Sequence, residues 1–509
     1  MSAPTGLIEL ELKLALPPGQ AERLRRHPAL RPISPHRAVV AELDAIYFDT
    51  PDLALQAEGI AVRQRQAGGQ WVQTVKTRGY GQGALHRRLE WETPSAGVHL
   101  DFRQIDPPAV RRLLEAPALA RRLQPVFRTR FRRWARLLVL DDGTQVELAL
   151  DLGEILAGEQ SAPISEIELE LKGGRAEALF EIALELQNGV SLLPEPRSKA
   201  ERGYALHLGI QAHPARARAP ALDPDQTPAV ACAAFLGAAL EQLQRNVPGA
   251  CAGADPEFLH QARVALRRLR AALSVFRRAL PAEGLAGIAA ELRWLMSEVG
   301  PARDLDVFCT QTLPQVSDSF GGHPGLALLA TAAGSRRAAA QQQACTALES
   351  QRATRLQLEV GRLACILTSA DKASGTLARF ARTALDKRAR GATLSQDALA
   401  ALDIPGRHDW RIKLKKLRYA GDFLLPVLDR PRLARRWIAA LSSLQDILGA
   451  LNDAASTEAL LATLSTADPA LVEARALVRG FLEGACQARM RDLERARREL
   501  ERAPVPWKR

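Results

Sequence analysis

The sequence predicts an α+β chain. A strand-rich antiparallel domain spans residues 1–210, a linker spans 211–228, and an all-helical half of two tandem bundles spans 229–500. Three observations predict this. Polarity alternates with period two through the first two hundred residues. Ala, Leu, Arg and Gln then dominate, with few β-branched residues. One basic helical pattern also occurs twice, 148 residues apart.

Taken in order, the period-two runs read as strands at Ile8–Leu14, Ala45–Phe48, Ile60–Gln66, Trp71–Lys76, His86–Trp91, Arg133–Leu140, Gln145–Asp151 and Ile164–Lys172. Short helices are expected at Gln20–Arg26, Pro107–Leu114 and Ala176–Gln187. The stretch QAHPARARAPALDPDQTP (211–228) is rich in Pro and Ala and reads as a linker. From Ala229 onward, breaks near Pro281, Pro301, Pro324, Gly391–Pro405 and Pro431 cut the chain into helices of bundle length. The duplication extends past the basic helices: Gly300 follows His260 by forty residues, and Gly449 follows His408 by forty-one.

At 509 residues the chain is too long for one ordinary core. Its net charge of +12 is unevenly placed, because residues 1–215 hold 27 groups of each sign and the rest hold 42 cations against 30 anions. A neutral front and a basic back point to different tasks, with an anionic partner for the second. All six cysteines lie in the back half without any CxxC pair, and buried reduced thiols are the expectation. The first residues reach three charges before any apolar run forms, and no stretch approaches about 18 uninterrupted apolar residues. The expectation is a soluble, cytoplasmic protein with no membrane partner.

Alternation decides which side chains of the front domain face together. Glu9, Glu11 and Lys13 share a face, as do Arg63 with Arg65, Arg88 with Glu90 and Glu92, Glu147 with Asp151, and Glu166, Glu168, Glu170 with Lys172. One such strand would ordinarily turn its charges to water. Across five or six strands, a closed sheet would gather both signs into one polar interior. Buried charges are costly unless paired. A divalent metal on the carboxylates and phosphate on the cations would satisfy both, which implies metal-assisted phosphoryl transfer to water.

The motifs also stand in a recognisable order: Glu9, Glu11 and Lys13 as ExExK, YFDTPDLAL from Tyr47, VRQR ending in Arg65, and TVK at Lys76. HRRLEWE with Arg88 and Glu90, ALDLGEI with Asp151, EIELELK over Glu166–Lys172, and SKAERGY at Lys199 complete it. This series resembles the CYTH, or triphosphate tunnel metalloenzyme, family over residues 5–208, nearest to its bacterial inorganic triphosphatases. The resemblance implies a tunnel barrel hydrolysing inorganic triphosphate with Mg2+ or Mn2+. By position, Glu9, Glu11, Glu90, Asp151, Glu168 and Glu170 would hold metal. Lys13, Arg63, Arg65, Lys76, Arg88, Arg133 and Lys199 would grip the triphosphate, with Glu92 and Glu166 as supporting charges. Arg128, Arg130 and Arg132 crowd Arg133 and leave its register open.

The repeated pattern reads HQARVALRRLR and HDWRIKLKKLR. On a helix, His260, Arg263, Arg267 and Arg270 fall in one stripe with Arg268 beside it; His408, Arg411, Lys415 and Arg418 repeat the stripe with Lys416 beside it. The apolar positions repeat too, with Ala262, Leu266, Leu269, Leu273 and Phe276 matching Trp410, Leu414, Leu417, Gly421 and Leu424. Stacked like charges cost a few tenths of a kcal/mol per pair, which a polyanion would offset. The pattern H-x-x-R-x-x-x-[KR]-[KR]-x-R resembles the CHAD domain over residues 228–500, which implies binding of inorganic polyphosphate and association with polyphosphate granules. Arg303 is a plausible further phosphate contact. Asp304, Asp306, Asn452 and Asp453 read as caps or salt-bridge partners, and the C-terminal RMRDLERARRELERA as a solvated helix.

Other readings stay open at this point: a targeting protein whose barrel only senses triphosphate, or an enzyme for an organic triphosphate, with Trp71, Trp91 or Trp134 as a platform. Nucleic acid is disfavoured, because aromatics make up 5% of the chain and the repeated basic pattern offers Trp410 and Tyr419 in one copy and none in the other.

Overall fold

A computed structural model describes residues 7–67, 69–77, 79, 83–95, 100–106, 108–253, 255–369, 375–464 and 469–508. The strands are β1 (Leu7–Ala15), β2 (Val39–Asp49), β3 (Ile60–Ala67), β4 (Gln70–Thr77), β5 (Leu85–Ser95), β6 (Gln124–Val139), β7 (Gln145–Ala157), β8 (Gln160–Gly173) and a two-residue β9 (Leu193–Pro194). They run β5-β4-β3-β2-β6-β7-β8-β1, and a β1–β5 pairing closes the sheet into an eight-stranded antiparallel barrel. β9 adds to the free end of β1.

The pleat sorts the side chains. Leu12, Leu14, Val146, Leu148, Leu150, Ile167 and Leu169 turn outward under the helix Ala178–Leu186, whose Leu179, Phe180, Ile182 and Ala183 cover them. On the far side Phe48, Val62, Val75 and Trp91 pack beneath Leu55, Phe102, Ile105 and Leu114. Inside, Leu43, Ala45, Tyr47, Phe127, Phe131 and Ile155 form an apolar floor on which Tyr204 sits. Tyr204 belongs to the helix Lys199–Leu208, which lies against β6, β7 and β8. A Cβ at Gly203 would overlap the Phe127 ring, so glycine is what lets this helix approach the floor.

β6 begins nine residues before the expected Arg133–Leu140 run. The reason is an inverted cost: Phe127, Thr129 and Phe131 face in, while Arg128, Arg130 and Arg132 stand outside beside Asp44 and Glu42 of β2. The helix Lys199–Leu208 was not expected either, though Ser198 and Glu201 form a capping box there.

The helical half repeats one succession. Pro256–Phe276 packs on Leu285–Val307, which packs on Pro324–Leu348; Ile404–Leu424 packs on Pro431–Thr463, which packs on Pro469–Arg502. The repeated apolar positions lie in its core, from Ala262, Leu266, Leu269 and Phe276 to Trp410, Leu414, Leu417 and Leu424. Pro301 does not break a helix as expected but lies within Leu285–Val307. The buried run of Leu292, Leu295, Val299, Ala302 and Leu305 outweighs a proline cost of about 3 kcal/mol.

Residues 210–227 have no regular structure, yet the later part is pinned: the carbonyls of Pro224 and Gln226 accept from the amides of Ala378 and Leu377. The chain divides into two compact units. One holds Met1–Ala215 with Leu240–Asn246 and Glu349–Ile366, and the other holds the remainder. Among the described residues no helix is long and apolar enough to cross a membrane.

Candidate active site and basic helices

Closing the sheet sets the inward residues of neighbouring strands side by side. Glu9 pairs in register with Arg88, Lys13 with Glu168, Lys76 with Glu90, and Arg133 with Asp151. Two knots of charge result.

In the first, Lys199 Nζ lies 2.7 Å from Asp151, 2.6 Å from Glu166 and 2.8 Å from Glu168. Lys13 Nζ donates to Glu168 at 2.6 Å. Arg133 binds Asp151 through two nitrogens, each at 2.7 Å, and reaches Glu168 at 2.6 Å. Arg202 closes the knot on Glu166 at 2.6 Å. Of Arg128, Arg130, Arg132 and Arg133, it is Arg133 that reaches Asp151 and Glu168.

In the second, Glu9 accepts from Lys76 at 2.9 Å and from Arg88 at 2.7 Å, and Arg88 also binds Glu11. Lys76 lies 3.0 Å from Glu90, Arg63 lies 3.8 Å from both Glu90 and Glu92, and Arg65 lies 3.1 Å from Glu92. Glu170 stands apart. It pairs with Lys172 at 2.6 Å and is the more exposed of the β8 glutamates, with 27% of its side chain open to solvent.

The centre of the two knots is buried, Lys13 and Glu11 to within 2% and Asp151 and Glu166 completely. Burial alone would raise the Glu9 and Glu168 carboxyls, but the cations around them win and hold both well below the usual range. Burial would likewise discharge Lys13, Lys199, Arg88 and Arg133, and their carboxylates instead raise all four. Glu90 goes the other way: burial lifts it despite Lys76, with Glu9 adding to the rise, and burial likewise lifts Glu170 and depresses Arg65.

The basic helices differ from the barrel. Burial depresses Arg263 and His260; Asp304 opposes the effect on Arg263 while Arg267 and Arg303 add to it, and Arg303 adds to the effect on His260 against Glu257. Arg263 reaches Asp304 at 3.7 Å, while Asp306 is taken by Arg337 at 2.6 Å. Arg267 lies over the Tyr419 ring and Arg268 over Phe423, so the two basic helices touch. Arg270, His408 and Lys416 are exposed; Arg411, Lys415 and Arg418 are half-buried. Arg418 is tied to Asp422 and Ser442. The side chains of Asn452 and Asp453 lie outside the described ones.

A CYTH domain model matches residues 7–204, and a CHAD domain model matches residues 234–462. The chain is 34% identical over 204 residues to an inorganic triphosphatase of Haemophilus influenzae, a match covering 39% of this chain and 55% of that protein. It is also similar to the crystal structure of the CHAD domain from the plant Ricinus communis, at 34% identity and a TM-score of 0.50, covering 58% of this chain and 99% of that one. The chain carries a CYTH and a CHAD domain, and over its helical half it belongs to the CHAD family.

In the CYTH barrel, one carboxylate oxygen each from Asp151, Glu166 and Glu168 lies within 4.8 Å of the others. Hard oxygen donors at that spacing fit a divalent ion such as Mg2+ or Mn2+. Each is already engaged by a cation, so loading an ion there requires those cations to find other anions. Trp91 and Trp134 pack in the outer cores, and Trp71 has the outward parity on β4, so none of these three lines the interior. Arg202 was legible as the i+3 neighbour of Lys199 but was not singled out.

His86 lies on β5 opposite Glu11. Burial, with Lys13 also opposing, pushes its imidazole down to about 4 from 6.5. The folded protein therefore keeps His86 neutral where the unfolded chain protonates it, and stability is lost as pH falls from 6.5 to 4. Denaturant unfolding of His86→Gln across that window should show a flatter pH dependence than the parent, by a few kcal/mol on the order-of-magnitude scale. Identical slopes would contradict this burial.

Proposed function

We propose that the CYTH barrel hydrolyses inorganic triphosphate to pyrophosphate and phosphate with Mg2+ or Mn2+, and that the CHAD helices bind inorganic polyphosphate. The observation carrying the first part is the closed interior in which Lys13, Arg63, Arg65, Lys76, Arg88, Arg133 and Lys199 converge with Glu9, Glu11, Glu90, Asp151, Glu166 and Glu168. A compact polyanion together with a small cation matches that inventory. A base or thiazolium finds no platform there in Trp71, Trp91 or Trp134.

The residues then have separable tasks. Arg63, Arg65, Arg88 and Arg133 hold phosphate oxygens by paired hydrogen bonds, and Lys13, Lys76 and Lys199 follow as point charges. Their positive charge stabilises the negative charge that builds on the departing pyrophosphate. Asp151, Glu166 and Glu168, with Glu9, Glu11 and Glu90, would hold the divalent ion, and Glu170 stands nearer solvent as an outer charge. When bound, that ion supplies Lewis-acid stabilisation of phosphate oxygens. The apolar floor of Phe127, Phe131 and Tyr204 keeps the deep end dry and strengthens every charge interaction above it.

The second part is supported by the contrast in charge. His260 and Arg263 are depressed by burial and by neighbouring arginines, while Lys199 and Arg133 in the barrel are, against burial, raised by their carboxylates. An extended polyanion laid along both helices would relieve that repulsion. A cytoplasmic location with association to polyphosphate granules is consistent with such binding.

Replacing Glu9→Gln with Glu11→Gln should cut phosphate release from triphosphate by about 100-fold or more while leaving polyphosphate binding intact. Undiminished turnover would contradict the assignment, and a parent protein that releases phosphate only from an organic triphosphate would replace the substrate. In the helical half, Arg270→Glu with Lys416→Glu should weaken polyphosphate binding at least about tenfold and flatten its salt dependence. Affinity unchanged across ionic strength would remove the CHAD helices from polyphosphate recognition.

A further inference from the structure

The turns Leu240–Asn246 lie midway along the helix Pro228–Ala252 and belong to the same compact unit as the barrel. Three successive polar side chains there are committed to the barrel unit's backbone and caps. Asn246, fully buried, clamps Ala215 by accepting from its amide at 3.0 Å and donating to its carbonyl at 2.8 Å. That fixes the turn in place.

Gln244 is 6% exposed, and its Oε1 accepts from the Ala84 amide at 2.7 Å. The Ala84 carbonyl in turn accepts from the Lys13 amide at 2.9 Å. Gly83 precedes with φ +70°, and a Cβ there would overlap the Gln244 carboxamide. The backbone entering β5 is thus clasped between β1 and Gln244 immediately before the strand that carries Arg88 and Glu90.

Arg245 works on a second element. Its Nη2 donates to Glu201 Oε1 at 2.9 Å, and Glu241 steadies its Nε at 3.0 Å. The other oxygen of Glu201 accepts from the Ser198 amide at 2.9 Å, completing the capping box. The residue after Ser198 is Lys199, the cation that touches Asp151, Glu166 and Glu168. Adjacent side chains on one helical turn therefore set the entry to the Arg88 strand and the first turn of the Lys199 helix. Packing alone would be served as well by apolar residues, since burying polar groups costs free energy unless the bonds they make are needed.

We propose that Gln244 and Arg245 are positioning residues for the barrel site, acting through Ala84 and Glu201 on where Arg88 and Lys199 stand. Neither touches the interior carboxylates. The proposal rests on the triphosphate reading, and misplacement of a gripping group by about 1 Å costs as much as 100-fold in rate.

The test uses the full chain with Gln244→Met, Arg245→Ala and Arg245→Lys, and Arg355→Ala as a comparison. Arg355 makes a similar bond, to Asn188 at 2.9 Å, elsewhere on the same unit. Gln244→Met and Arg245→Ala should raise KM for triphosphate at least about fivefold with melting temperatures close to that of Arg355→Ala, and Arg245→Lys should recover most of the loss. Unaltered kinetics, or losses that merely track melting temperature, would overturn the proposal. Calorimetric titration with a non-hydrolysable triphosphate analogue in Mg2+ separates it from hydrolysis. An inactive parent whose variants bind fivefold more weakly keeps the positioning role and removes the hydrolytic reading. Equal affinities overturn the positioning role whatever the turnover.

Discussion

Everything in the barrel follows from burying both signs of charge in one closed interior. An isolated buried ion costs several kcal/mol, so each must be held by more than one partner. Glu168 meets Lys13, Arg133 and Lys199, and Lys199 meets three carboxylates. The apolar outer cores make this affordable, because Leu12, Leu148, Ile167 and their neighbours supply the driving force that the interior withholds. The same mutual pairing dictates how ligands enter. A metal ion can take the carboxylates only if the cations find phosphate, and phosphate can take the cations only if the carboxylates find metal. Binding on this account is an exchange of partners at nearly constant net charge.

The CHAD helices solve the opposite problem. Arginines press on His260 and Arg263, and Arg263 reaches Asp304 at 3.7 Å while Arg418 pairs with Asp422 at 3.0 Å. Aromatic faces take part of the load, since Tyr419 and Phe423 lie under Arg267 and Arg268. Repulsion among Arg263, Arg267, Arg303 and His260 is what the proposed polyphosphate binding would relieve. A self-neutralised cavity and an under-neutralised surface in one chain also explain why the front 215 residues balance and the rest carry the +12.

Much of this was legible in the sequence because a strand's period is two. ExExK and EIELELK place their charges on one face in any antiparallel sheet, so a shared interior could be read before closure was seen. The repeated basic helices were legible for the same reason, with period 3.6. Other features depend on partners distant in sequence. Arg128, Arg130 and Arg132 of β6 stand outside because Asp44 and Glu42 wait on β2, and the strand alone does not say so. Pro301 reads as a stop locally, but packing along Leu292–Leu305 overrides it. Gln244 and Ala84 lie 160 residues apart, and nothing local marks either as the other's partner. Glu166 and Glu170 share a face of β8, and only the arrival of Lys199 and Arg202 on a separate helix distinguishes the buried one from the half-exposed one.

Partner exchange is tested most directly by calorimetry with a non-hydrolysable triphosphate analogue and Mg2+, titrated separately and together and corrected for the complex they form in solution. The account predicts that each ligand raises the affinity of the other by the same factor, at least about tenfold, because each frees the groups the other needs. Independent binding, with neither ligand changing the other's affinity, would contradict it.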